Sequence, residues 1–402
     1  MIKVLLVEVS AAAGEQLLQR LSVLSTGWSM RCVVGEAAAF AALEEAPFDA
    51  VITELAGPGF DGVTLLRKVR DFWPATARFV LSASSSTQLL MKALPVAHQI
   101  LCRPFDPLHL QGIVFRACAL SSRLYSSGVQ EALGSIRSLP AVPRLYQLLS
   151  QELDSGRATP KSVATIIEQD MSMTARLLQL VNSAFFGLSR RITDIREAVT
   201  YLGFDPIRNL VASSEMFRAM SKLAAPTGFS LDAVQQHSQR VGTIAAGLLA
   251  DRELSRTAYC AGMLHDIGRV VLAVSMPEAF SRASEFARLQ GIPLHEAEQQ
   301  VFACTHAEIG AHLLVMWGLP PALVEAVAFH HSPAALGDAQ FGIAGAIHVA
   351  DAIEHGRSEG LSASRLEPAL ARIDVDWFMR SGEFASLSGW VAGLDGVDSA
   401  AA

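Results

Sequence analysis

Residues 50–62 read AVITELAGPGFDG, and this stretch decides the N-terminal architecture. Ala50, Val51, Ile52 and Thr53 form a short, mostly β-branched apolar run. Gly57, Pro58, Gly59 and Gly62 then mark a loop, and residues 63–72 carry apolar side chains at helical spacing. A buried strand feeding a helix through a glycine-rich loop is the repeating unit of a parallel α/β sheet. Working outward, the same unit recurs. Residues 3–7, 78–82 and 99–101 read as further strands, and residues 14–24 as a helix. Folds of this class place their sites on loops at the carboxyl ends of the strands.

After Pro140 the pattern changes to nearly continuous helical periodicity. It is broken at Gly156, Gly187, residues 203–206, residues 226–228, Pro277, residues 291–293, Pro320 and Pro333. That half reads as all-α. Between the halves, residues 121–138 are serine-rich, yet Tyr125, Val129, Leu133 and Ile136 keep roughly helical spacing. The expected organisation is an α/β domain over 1–120, a helical connector over 121–138, a helical domain over 139–335 and a helical extension over 336–402. Residues 395–402, mostly small or polar, are expected to fray.

Composition bounds the function. With 51% hydrophobic and 18% charged residues in 402, the chain can bury large cores and is long enough for two or three domains. A net charge of -7 argues against nucleic acid or an anionic membrane as a whole-chain partner, and Arg190 with Arg191 is the one small basic patch. Five scattered cysteines (Cys32, Cys102, Cys118, Cys260, Cys304) lack the spacing of a disulfide framework or zinc ribbon, which fits a reducing cytoplasm. Residues 1–10 are too short for a signal-peptide core, and charges interrupt every run that would span a bilayer.

The segments LLVEV, ITEL with AGPGFDG, VLSAS and ILCRPF resemble the receiver domain of bacterial response regulators, over residues 1–120. The resemblance implies a doubly wound, flavodoxin-like fold. In that family an acidic pair and an aspartate hold Mg²⁺ and accept a phosphoryl group. The matching positions here are Glu8, Val9 and Glu54, with the hydroxyl residue at Ser82 and the family's lysine replaced by Arg103 before Pro104. Val9 offers Mg²⁺ no side-chain oxygen, and Glu54 extends its carboxylate by one methylene. Phosphorylation is therefore not expected. Arg103 can instead pair with Glu54 as a permanent internal imitation of the phosphorylated state; the plainer reading leaves both as solvated residues at strand ends. Either makes this a pseudo-receiver.

In the other half, residues 258–274 read as one helix, apolar nearly all round, that carries His265, Asp266 and Arg269. Buried charge without partners costs several kcal/mol, so this cluster is paired, metal-bound or open to a cleft. His237, His306, His330, His331 and Asp351 are the available partners. Imidazole with carboxylate suits Fe, Mn, Zn or Ni, and a shared aspartate can bridge two ions. For any one of His237, His306 or His348 a satisfied core histidine is the simpler reading; the co-occurrence of His265, Asp266, His330 and His331 is what points to metal. Asn182 reads as a cap or helix tie, Trp317 as a packed helix end, and Thr305 with Glu308 as a helix start.

The segments LPAVPRLYQLL, VATIIEQDMSMTARLLQLVNSAFFG, ITDIREAVTYLG, AGMLHDIGRVVL and THAEIGAHLLVMWGLPPALVEAVAFHH resemble the HDOD output domain, a relative of the HD phosphohydrolase superfamily. In that superfamily ligands of these types occur at matching places. The resemblance implies a signal-transduction protein whose pseudo-receiver regulates a non-enzymatic HDOD module through contacts with signalling proteins, with a homodimer left open. The alternatives are a metal-dependent phosphohydrolase acting on a cyclic dinucleotide or nucleotide, with Arg269 on a substrate phosphate, and a nucleotide sensor without turnover. The GYP element of the related phosphodiesterases is not visible.

Overall fold

The computed structural model describes residues 2–22, 27–57, 59–82, 92–93, 96–121, 143–182, 190–207, 229–337, 340–357, 361–362 and 364–393. The apolar positions of the expected connector, the turn at Phe185 and Phe186, and the expected frayed tail lie outside them.

Five parallel strands, β1 (Ile2–Glu8), β2 (Trp28–Val34), β3 (Ala50–Glu54), β4 (Ala77–Ser82) and β5 (Gln99–Cys102), form one sheet in the order β2-β1-β3-β4-β5. Val4 lies beside Ala50, and Ala50 beside Ala77, so the three central strands are in register. Helices α1 (Ala11–Ser22), α2 (Gly35–Glu45), α3 (Gly62–Phe72) and α4 (Pro107–Ser121) accompany it. The doubly wound α/β fold is thus as expected, with one strand more than the sequence pattern gave. β2 is an edge strand whose burial is broken by exposed Ser29 and Arg31, so it lacks the continuous apolar run that marks β3 and β4. The loop after β3 is pinned at α3, where Asp61 accepts from the backbone of Val63 and Thr64 at 3.0 and 3.2 Å. A Cβ at Gly62 would come within 1.9 Å of the Glu54 carbonyl, so only glycine lets the chain fold back this closely.

The helices that follow are α5 (Pro143–Asp154), α6 (Pro160–Ile167), α7 (Met171–Asn182), α8 (Ile195–Leu202), α9 (Leu231–Gly247), α10 (Arg252–Leu264), α11 (Ile267–Ser275), α12 (Pro277–Gln290), α13 (Leu294–Phe302), α14 (His306–Met316), α15 (Pro321–Ala328) and α16 (Ile343–Arg357), with the short α17 (Glu367–Leu370) and α18 (Val375–Arg380) after them. Every residue of α7 is buried, which makes it the centre of the helical half. Asn182, at its end, donates to the carbonyls of Leu178 and Ile192 and accepts from the Ile192 amide, a purely structural tie.

Two glycine crossings set the spacing of the helices. A Cβ on Gly262 of α10 would lie 2.5 Å from the Cα of Gly242 in α9, and one on Gly268 of α11 would lie 1.9 Å from the carbonyl of His306 in α14. Backbones therefore touch where α9 meets α10 and where α11 meets α14. The single helix expected over 258–274 is in fact two, α10 and α11, separated at His265 and Asp266, with Asp266 at φ −96°, ψ 10°. On an unbroken helix these neighbours would project about 100° apart; the break lets both face one point. Beyond α16, Trp377 and Phe378 are buried against it, so residues 366–390 cover that helix.

The two halves meet along α14 and β5. Met316 packs into the core beneath the sheet with Leu110 and Ile113 of α4. The side-chain amide of Gln99 donates to the Val315 carbonyl at 3.0 Å, that of Gln179 reaches the His98 carbonyl at 3.4 Å, and the Arg176 guanidinium lies 4.2 Å above the Trp317 ring.

Candidate metal centre

The receiver-like half brings three of its four expected site residues into direct contact. Glu8 ends β1, Glu54 ends β3, and Arg103 follows β5, so all three stand at the carboxyl edge of the sheet. The Arg103 Nε donates to Glu54 Oε1 at 2.6 Å, and its terminal nitrogen to Glu8 Oε1 at 3.0 Å. Burial pushes both carboxyls up, and Arg103 opposes this. Ser82 is buried, and its carbonyl accepts the Arg103 amide at 2.9 Å. The plainer reading, solvated residues at strand ends, is not what is found.

In the helical half, all seven expected metal ligands converge. His237 comes from α9, His265 and Asp266 from the break between α10 and α11, His306 from the start of α14, His330 and His331 from the turn after α15, and Asp351 from α16. The capping box of Thr305 with Glu308 opens α14 and so fixes His306. His237 Nε2 lies 3.0 Å from Asp351 Oδ1 and 4.0 Å from Asp266 Oδ2; His306 Nε2 lies 3.2 Å from Asp266 Oδ1 and 3.0 Å from His331 Nε2. Three overlapping triads, His237 with His265 and Asp351, His265 with Asp266 and His330, and His306 with His330 and His331, each have ligand atoms within 4.8 Å of one another.

Hydrogen bonds on the far side of the rings aim these lone pairs inward. The Nδ1 atoms of His265 and His330 face the carbonyls of Gly262 and Val327 at 2.6 and 2.7 Å, leaving each Nε2 to the centre. His330 Nε2 is buried with no hydrogen-bond partner among the described residues. His237 Nε2 and Asp351 Oδ1, also enclosed, face each other at 3.0 Å. A buried acceptor without a donor is costly, and acceptors crowded around one point are the arrangement a cation relieves. Burial pushes the imidazoles of His265, His330 and His331 down, toward the neutral, ligating form. Burial would raise the carboxyls of Asp266 and Asp351, but Arg269 and His265 beside the first and His237 and His355 beside the second hold both well below the usual range.

His306 differs. Burial opposes its charge, yet Glu298 and Asp266 on either side raise its pKa to about 9. Glu298, fully buried on α13, accepts from His306 Nδ1 at 2.6 Å and from its amide at 2.8 Å, the orienting role that carboxylates play behind metal-bound histidines. Sequence reasoning missed Glu298, as it missed His355, which sits 3.0 Å from Asp351. Glu298 follows Ala297 on the inward face of α13, and a carboxylate at a helical core position was the available signal. His348 is structural: it faces the His330 carbonyl with Nδ1 and accepts the Asp374 amide with Nε2. Arg269 pairs with Asp266 at 2.6 Å. In the basic patch, Arg190 pairs with Glu197 and Arg191 donates to the Asn182 carbonyl.

Residues 139–333 match the HDOD domain model. Over 200 residues, 49% of its length, the chain is 30% identical to an uncharacterized protein of Treponema pallidum, and the match spans 38% of that relative. Among solved structures it is similar to the MmoQ response regulator of Methylococcus capsulatus, at 24% identity and TM-score 0.49, covering 61% of this chain and 98% of that one. It is also similar to the signal receiver domain of an HD domain-containing protein from Pseudomonas fluorescens, at 24% identity and TM-score 0.28, covering 30% of this chain and 90% of the other. Among the described residues no helix is long and apolar enough to cross a membrane.

Proposed function

We propose that this chain, a signalling protein whose residues 139–333 are an HDOD domain, is controlled by a receiver-like domain that works without phosphorylation. The observation that carries this reading is the Arg103 guanidinium set between Glu54 and Glu8, where it supplies the positive charge that Mg²⁺ would otherwise bring. The signal then passes to the HDOD module through the contacts of β5 with α14, and onward through protein partners. The test is intact-mass analysis after incubation with acetyl phosphate and Mg²⁺, alongside hydrogen exchange of Arg103→Ala. No phosphoryl adduct, with protection lost along α14 in the variant, is expected. An adduct on Glu54, or unchanged exchange in α14, would refute it.

The unmatched inward lone pair of His330, within three overlapping triads of histidine and aspartate ligand atoms, favours a second reading, metal-dependent phosphohydrolysis, with the substrate a cyclic dinucleotide or nucleotide. His237, His265, Asp266, His306, His330, His331 and Asp351 would hold one or two ions of Fe, Mn, Zn or Ni. Such an ion lowers the pKa of bound water and polarises a phosphoryl oxygen. Glu298 orients His306, and Arg269 would supply the guanidinium that contacts a substrate phosphate. Elemental analysis of protein purified without chelator, run with phosphodiester turnover, decides it: metal with turnover supports hydrolysis, metal without turnover a sensor, and neither a scaffold.

A further inference from the structure

A cavity of about 690 Å³ lies between the two domains, within the range of about 300–1,000 Å³ typical of small-molecule sites. Its broad walls are apolar and come from α14 and α15, with Ala311, Val315, Leu319 and Val324 contributing. One further wall is Gln99 of β5, from the receiver-like domain. That wall is keyed in place. The Gln99 amide is bonded to the Val315 carbonyl, and its Oε1 lies where a Cβ on Gly318 would sit 2.9 Å away.

We propose that this cavity binds a planar aromatic ligand carrying one acidic group, and that docking of the receiver-like domain completes the site. The apolar walls, with Phe329 among them, suit an aromatic ring system. His312, 4% exposed, also lines the cavity, and its Nδ1 has no hydrogen-bond partner among the described residues, so a polar edge on the ring would satisfy it. Burial pushes this imidazole down to about 4, so it meets the ligand neutral, as donor or acceptor.

The opposite end reaches the metal centre. His331 lines the cavity there, stacked on His295 with ring centroids 4.0 Å apart, and Arg191 stands beside them. Of the two carboxylates on the lining, Glu308 is engaged by the Thr305 amide and hydroxyl, and Glu325 is exposed. The acidic group therefore belongs at the His331 end. That placement rests on the metal reading above; the aromatic subsite does not. Arg103 and Gln99 lie on the same strand-to-loop segment, which gives the receiver-like domain a direct means of setting ligand access.

The test is titration of the full chain with anilinonaphthalene sulfonate, an aromatic anion, first after chelation and then with Mn²⁺ added. Saturation at a single dye is expected, with affinity weakened about tenfold by Ala328→Trp, which fills the cavity, and several-fold by Gln99→Ala. Ala307→Leu serves if the tryptophan variant fails to fold. Many weak dye sites, or binding untouched by both filling variants, would overturn the site. Binding untouched by Gln99→Ala would overturn the receiver's part in it. Tightening by Mn²⁺ supports the placement of the acidic end, whereas metal-independent binding removes that placement and leaves the aromatic subsite standing.

Discussion

The carboxyl edge of the sheet and the meeting point of α9, α10, α14, α15 and α16 face the same electrostatic problem: several acids drawn together away from water. They differ in what answers it. At the sheet edge, Arg103 is a tethered cation that touches both Glu54 and Glu8, leaving only Glu8 Oε2 of the two carboxylates buried without a partner among the described residues. In the helical domain, Arg269 pairs with Asp266, Glu298 and Asp266 favour the charged form of His306, and His330 Nε2 is without a partner among the described residues. A built-in cation makes a site constitutive; an unmatched ligand set leaves it responsive to what the cell supplies.

The largest effect should separate the two regions outright. His265→Ala is expected to remove nearly all bound transition metal, read by elemental mass spectrometry, while Arg103→Ala leaves the content unchanged; loss in both, or in neither, would break the comparison. Next, Arg103→Ala strands two buried carboxylates and should cost about 3 kcal/mol in urea unfolding. A cost near zero would mean that Glu8 and Glu54 relax into water.

A third prediction concerns the joint between the regions. His98 faces Arg78, Arg176 and His312, and burial holds His98 and His312 neutral, with His312 pushed down to about 4. The unfolded chain takes up protons below the ordinary histidine pKa and the folded one does not, so stability is present at pH 7 and falls with acidification. His312 alone should account for about 2 kcal/mol between pH 7 and pH 5, and His312→Gln should flatten that slope. The smallest effect is local: Thr305→Ala removes the cap that starts α14 and should cost about 1 kcal/mol, with weakened metal retention because His306 is the first residue of that helix.

Much of this was legible in the sequence because it rests on strong local signals. The apolar runs of β1, β3 and β4 and the AGPGFDG loop announce a parallel sheet, and the Asp61 cap falls where that loop ends. That the seven residues of the candidate centre come together was also readable, since ionisable side chains inside apolar helices have few explanations. What escaped depends on distant packing. β2 is half exposed and looks ordinary until it lies beside β1. The break at Asp266 follows from where α11 must cross α14, not from any glycine or proline at the break itself. Glu298 differs from a surface glutamate only in the face of α13 it occupies, and the alignment of Gln99 with Val315 joins residues 216 positions apart.

Met316, the last residue of α14, is counted in the core beneath the sheet although its helix belongs to the other domain. A side chain of the helical half thus fills the interior of the sheet, and melting the helical half opens a hole there. The chain should behave as a single cooperative unit in calorimetry, with one transition instead of two, and a small change at the sheet can be felt as a change in the rigidity of the helix that carries His306.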